Sequence, residues 1–137
     1  MRSIFFLGML VFASAQARLS SSTFDDIKTM LHSGQESAAE LTGYYFLRTY
    51  PKSEQRVDVK FMLAEIYERQ TRLEEMVLWL KDLERDPGLS LTDKPRLSYM
   101  LYAAQTKRGD RSAAEIQKSL LLRLFPQSDW AKKVNAQ

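Results

Sequence analysis

The chain has 137 residues, 27% of them charged, with 20 lysines and arginines against 17 aspartates and glutamates for a formal net charge of +3. It contains no cysteine and one histidine, His32, which excludes disulfide staples, a cysteine nucleophile, a thiol-anchored lipid and a histidine-built metal cluster. A basic excess this small and this evenly interspersed does not advertise nucleic acid.

In chain order the first feature is a targeting segment. Arg2 supplies a positive n-region, Ile4 to Ala13 an apolar h-region, and Ala15-Gln16-Ala17 a small-x-small cleavage pattern. Together they predict a secretory signal over 1–17 with Arg18 as the mature start. The apolar run falls short of the ~20 residues a spanning helix needs, and no later stretch supplies them, so no transmembrane segment is expected in the mature chain. Cleavage would leave 120 residues, 19 basic and 17 acidic, enough for one domain over 18–137 that buries about two thirds of its unfolded surface. A secreted chain without disulfides must draw its stability from its core, which favours a bacterial periplasm.

The first folded unit, about 20–51, places a helix on Phe24, Ile27, Met30 and Leu31, a turn at Ser33-Gly34, and a returning helix on Ala38, Leu41, Tyr45 and Phe46, closed by Pro51. Ser20 to Thr23 is a polar run expected to cap that first helix or to form a tail. In the second unit, about 53–87, Val59, Met62, Leu63, Ile66 and Tyr67 form one helical stripe, and Leu73, Met76, Val77, Leu80 and Leu83 form its partner at i, i+3, i+4, i+7 and i+10. The short polar stretch between them has the length of an antiparallel helix connection. The third unit, about 92–126, begins at an Asp93 N-cap before Pro95, continues through Leu97, Met100, Leu101 and Ala104, reverses at Gly109, and returns on Ala113, Ile116, Leu120, Leu121 and Leu124. Gly109 suits a C-cap, and Asp110 or Ser112 an N-cap. Ser128 then predicts a short capping helix over 128–136 carrying Trp130 and Val134.

The turns at Gly34, Thr71 and Gly109 recur 37 and 38 residues apart, and Pro51, Pro87 and Pro126 recur 36 and 39 apart. One helical hairpin is therefore repeated three times. On these residues the chain resembles the tetratricopeptide repeat (TPR) family. Leu63, Ala64 and Tyr67 match its first-helix packing positions, Ala39 and Ala114 its small second-helix position, and the three prolines its closing residue. Thr71, Met76 and Tyr102 depart from the pattern, the first standing where glycine is usual and the other two where a small residue is. Units longer than the basic 34 residues, with phrases such as Arg48-Thr49-Tyr50-Pro51-Lys52-Ser53, are similar to the periplasmic subgroup that includes outer-membrane assembly lipoproteins and the Tol-Pal coordinator.

The resemblance implies an all-α, TPR-like α-solenoid whose concave wall presents Phe24 and Lys28, then Asp58, Phe61, Glu65 and Glu68, then Arg96, Tyr99 and Ala103. Phe24, Phe61 and Tyr99 would form an aromatic ladder for a helix or extended peptide, with Lys28, Glu65 and Arg96 orienting it; the alternative is that these rings pack within the stack. On the ladder reading, Phe61→Ala weakens partner capture and leaves stability nearly unchanged. No catalytic constellation emerges. The acidic pairs Glu65/Glu68 and Glu74/Glu75 are expected to form solvated ion pairs with Arg69 and Arg72, and the five glycines make no phosphate loop. The resulting expectation is a non-enzymatic adaptor without cofactor or metal, binding a protein or peptide of the cell envelope. The alternative is a self-assembling structural subunit, a homo-oligomer with its groove unused.

Overall fold

The computed structural model describes residues 3–137, and their side chains from residue 12 onward. Arg2 of the expected signal lies outside the described residues, as do the side chains of Ile4 to Val11. Among the described residues there are seven helices and no strand. They fall into two compact units, one ending at Val59 and one spanning Lys60–Gln137, so the first hairpin of the expected 18–137 domain lies in the first unit.

Helix reversal is solved the same way three times. Gly34 (φ 76°), Thr71 (φ 57°) and Gly109 (φ 80°) each take the left-handed conformation. The next amide then reaches back five residues: Gln35 donates to the Met30 carbonyl at 2.8 Å, Arg72 to Tyr67 at 2.8 Å, and Asp110 to Gln105 at 3.0 Å. Each left-handed residue donates three residues back, at 3.3, 3.1 and 3.1 Å. These paired bonds satisfy carbonyls that a helix end leaves orphaned.

In the first unit, α1 (Ser3–His32) is joined by such a turn to α2 (Glu36–Thr49). The two helices pack together, with the Thr42 hydroxyl reaching the Met30 sulfur at 3.5 Å. Ser20 to Thr23 neither cap α1 nor form a tail; they lie inside it, where the Ser20 hydroxyl donates to the Ala17 carbonyl at 3.0 Å and Thr23 to Leu19 at 2.9 Å. A hydroxyl within a helix finds its acceptor one turn back. Residues 12–19 are all exposed, and among the described side chains of α1 the buried ones are Ser20 and Ile27. The face of α2 that packs is Ala39, Gly43 and Phe46. Leu41 and Tyr45, expected inside, are exposed, because the small Ala39 and Gly43 allow the closer helix approach.

The boundary between the units falls inside α3 (Arg56–Arg69), which is followed by α4 (Leu73–Glu84), α5 (Lys94–Arg108), α6 (Arg111–Leu124) and α7 (Asp129–Asn135). The expected α4 stripe is buried in full, as are Leu97, Met100, Leu101 and Ala104 of α5. Met62 alone of the α3 stripe is half-buried. On α6 the packed residues are Ala114 and Leu121, while Ile116 and Leu124 are exposed. Asp110, rather than Ser112, caps α6 by accepting from the Ala113 amide at 3.1 Å. Asp93 holds the N-cap position of α5 without capping it; its carboxylate accepts instead from the Ser90 hydroxyl at 2.7 Å. Ser128 caps α7 through the Ala131 amide at 3.1 Å, as expected. Ala131 and Val134 of α7 join Leu121 in a small core against which Tyr99, Tyr102 and Trp130 pack.

Lys60 ties α3 to the end of α4. Its ammonium lies 2.9 Å from Asp82 and 3.0 Å from Asp86, and the Asp86 side chain is only 4% exposed. Burial pushes the Lys60 ammonium down, but hydrogen bonds to Asp82 and Asp86 and their negative charge outweigh it and hold the group above its ordinary 10.5. The stabilisation is therefore complete below about pH 10.5, the unfolded value, and is lost as pH rises through the higher folded value. Lys60→Met should cost about 1–3 kcal/mol in urea unfolding at pH 7, since it removes the charge-assisted hydrogen bonds to Asp82 and to the largely buried Asp86, and should abolish the alkaline loss of stability attributable to this lysine. No helix of the described residues is long and apolar enough to cross a membrane.

Thr71 is β-branched, and left-handed backbone costs such a residue about 1–2 kcal/mol. Thr71→Gly is expected to raise the unfolding free energy by about 1 kcal/mol, after glycine's greater unfolded-state entropy is subtracted. Chemical denaturation of the two proteins checks it.

Candidate peptide-binding surface

The nine residues expected on a concave wall divide between the units. Phe24, Lys28 and Asp58 belong to the first. There the Lys28 ammonium sits 4.6 Å from the centre of the half-buried Phe24 ring and 2.7 Å from Asp25, so the aromatic face is already occupied by a cation from one turn along its own helix. Asp58 is exposed.

The other six lie in the second unit, and Phe61 requires a correction. Its side chain is 0% exposed, and the Arg96 guanidinium covers its ring at 4.2 Å. It is a core residue, unavailable to a ligand, because α5 brings Arg96 over the point where the ring would otherwise emerge. Arg96 in turn pairs with Glu65 at 2.5 Å. Two residues expected to orient a bound segment thus neutralise each other and join α3 to α5. Glu68 does the same with Lys107 at 2.6 Å. Glu74 meets Arg108 at 3.4 Å, and Glu75 pairs with an expected neighbour, Arg72, at 3.2 Å.

Tyr99 is half-buried rather than free. Trp130 of α7 lies 5.1 Å from it and Tyr102 6.4 Å away, ring centre to ring centre, and Gln137 donates to its hydroxyl at 3.4 Å. Lys133 extends 4.4 Å above Trp130 and 5.7 Å above Tyr99. What remains open is a cleft of about 220 Å³ between Glu68 of α3 and Tyr99, Tyr102, Ala103 and Lys107 of α5. Its lining combines two tyrosines with the Glu68–Lys107 pair. Tyr102 and Lys107 were not foreseen as part of this surface, yet Tyr102 carried a signal, a large ring where the resemblance calls for a small residue.

A larger cavity of about 670 Å³ lies in the first unit between α1 and the segment following α2. Ala13, Gln16 and Ala17 form part of its wall. These residues precede the expected cleavage point, so processing would remove that side. No protein-family model matches the chain, and no curated protein matches its sequence.

Truncating Phe61 should now do the opposite of what an exposed ladder residue would. Phe61→Ala is expected to cost about 3–5 kcal/mol of stability and to release Arg96, measurable as a lowered urea midpoint with helical content retained below the transition.

Proposed function

We propose that the chain is a non-enzymatic, TPR-type protein-binding module of the bacterial periplasm, which holds a peptide or helix of an envelope protein against the α3–α5 surface of its second unit. The observation that carries this reading is the 220 Å³ cleft lined by Tyr99 and Tyr102. Small-molecule sites usually enclose roughly 300–1,000 Å³, whereas this volume suits a side chain or two projecting from a larger partner. The Glu68–Lys107 pair offers both signs of charge to such a segment, and aromatic side chains are favoured anchors for protein partners. The carboxylates most suited to acid–base work are engaged in ion pairs, which supports a binding role over turnover. The periplasmic assignment is supported by the signal-like sequence at 1–17 and by the exposed run over 12–19.

A photo-crosslinking amino acid at Thr106, on the cleft wall and exposed, tests the reading in the native cell. Capture of one envelope protein is expected, and the purified pair should lose binding at least about tenfold, or 1.4 kcal/mol, when Ala103→Trp fills the cleft. Capture of nothing, or binding indifferent to Ala103→Trp, refutes it.

A further inference from the structure

The three returning helices share an outward pattern that the hairpin packing does not use. Leu41 of α2, Leu78 of α4 and Ile116 of α6 stand at equivalent positions and are 72%, 67% and 59% exposed. Seven residues later each helix or its immediate end carries an exposed arginine: Arg48, Arg85 and Arg123. On α6 the pattern is most developed. Ile116 is followed by the half-buried Leu120 and the exposed Leu124, and a shallow trough of about 500 Å³ runs along this side past Glu115, Ser119 and Arg123.

We propose that α6 pairs antiparallel with α6 of a second copy of this chain, about a two-fold axis passing near Ser119 and Leu120. A two-fold contact requires a patch to be its own complement, and this one is. Glu115 and Arg123 lie on the same flank, four residues before and four after Ser119, so the axis brings each copy's Glu115 to the other's Arg123. On the opposite flank it sets Ile116 against Leu124 and Leu120 against its own counterpart. The small Ser119 at the crossing lets the helices approach. Neither Glu115 nor Arg123 has an ion-pair partner within the described chain.

The related helices lack part of this set. On α2 the acid in the equivalent place, Glu40, accepts from Tyr44 at 3.3 Å, and Thr49 stands where α6 has Leu124. On α4 the acid is replaced by the buried Val77. An anionic lipid surface would suit the arginines but would be repelled by Glu115, which shares a flank with Arg123. The pairing is independent of the cleft on α3 and α5, so either conclusion can fail without the other.

Sedimentation equilibrium of the full chain at low salt, with circular dichroism to verify folding, tests the pairing. The wild type is expected to form a dimer. Glu115→Arg and Arg123→Glu should each weaken it at least about tenfold, because each puts like charges together. The double variant carrying both should recover most of the affinity, since the pair is then re-formed with its signs exchanged. A wild-type monomer at about 100 µM, well above the micromolar range of a modest specific interface, overturns the proposal. So do single exchanges without effect, loss of the dimer in Leu41→Glu but not in the α6 variants, or sedimentation of a monomer with phosphatidylglycerol vesicles.

Discussion

One left-handed residue at each reversal is the constraint from which the rest of the structure follows. Gly34, Thr71 and Gly109 each end a helix with the same pair of backward hydrogen bonds, so each following helix leaves in the same direction relative to the one before. That repetition makes α1 with α2, α3 with α4, and α5 with α6 versions of a single hairpin. It also determines which sides of the helices remain outside. The second turn reaches this geometry through a threonine, so the fold imposes the conformation even where the residue resists it.

Charge and aromatic rings are used within each unit to hold elements together. Arg96 covers Phe61 and pairs with Glu65, Lys28 covers Phe24, and Lys133 covers Trp130. In each case a long cationic side chain lies over an aromatic face, shielding apolar surface while its charge stays near water. The side chains that look most like ligand readers therefore bind one another first. The proposed binding role consequently depends on the space left between them, the cleft lined by Tyr99 and Tyr102 of α5, more than on any single exposed ring.

Much of the fold was legible. The turn and proline spacing marked three hairpins, and the α4 stripe from Leu73 to Leu83 faces inward in full, since large aliphatic residues at helical spacing have only one way to leave water. The inner faces of α2 and α6 were legible in part: Phe46 and Leu121, and the Ala39 and Ala114 that the resemblance marked as small packing positions, are buried. Gly43 joins them unforeseen, while Leu41, Tyr45, Ile116 and Leu124, expected inside on hydrophobicity, point away. The candidate wall was legible as a set of residue types but not as a surface. Glu65, Glu68, Tyr99 and Ala103 do lie on the α3–α5 side of the second unit; that Phe61 is sealed beneath Arg96, and that Tyr102 and Lys107 complete the cleft, depends on contacts 30 to 40 residues apart in the chain.

By itself the sequence determined where the chain reverses and how many hairpins it makes: at Gly34 and Gly109 the outcome rests on local sterics, glycine's tolerance of positive φ and proline's inability to continue a helix, and at Thr71 it was legible from the repeat spacing alone. Only the tertiary structure decided which aromatic rings stay accessible, which acids are already paired, and that Lys60 is held between two carboxylates 22 and 26 residues away. Those properties are set by distances between helices, and interhelical distance is fixed only once side chains of different elements share one packed interior.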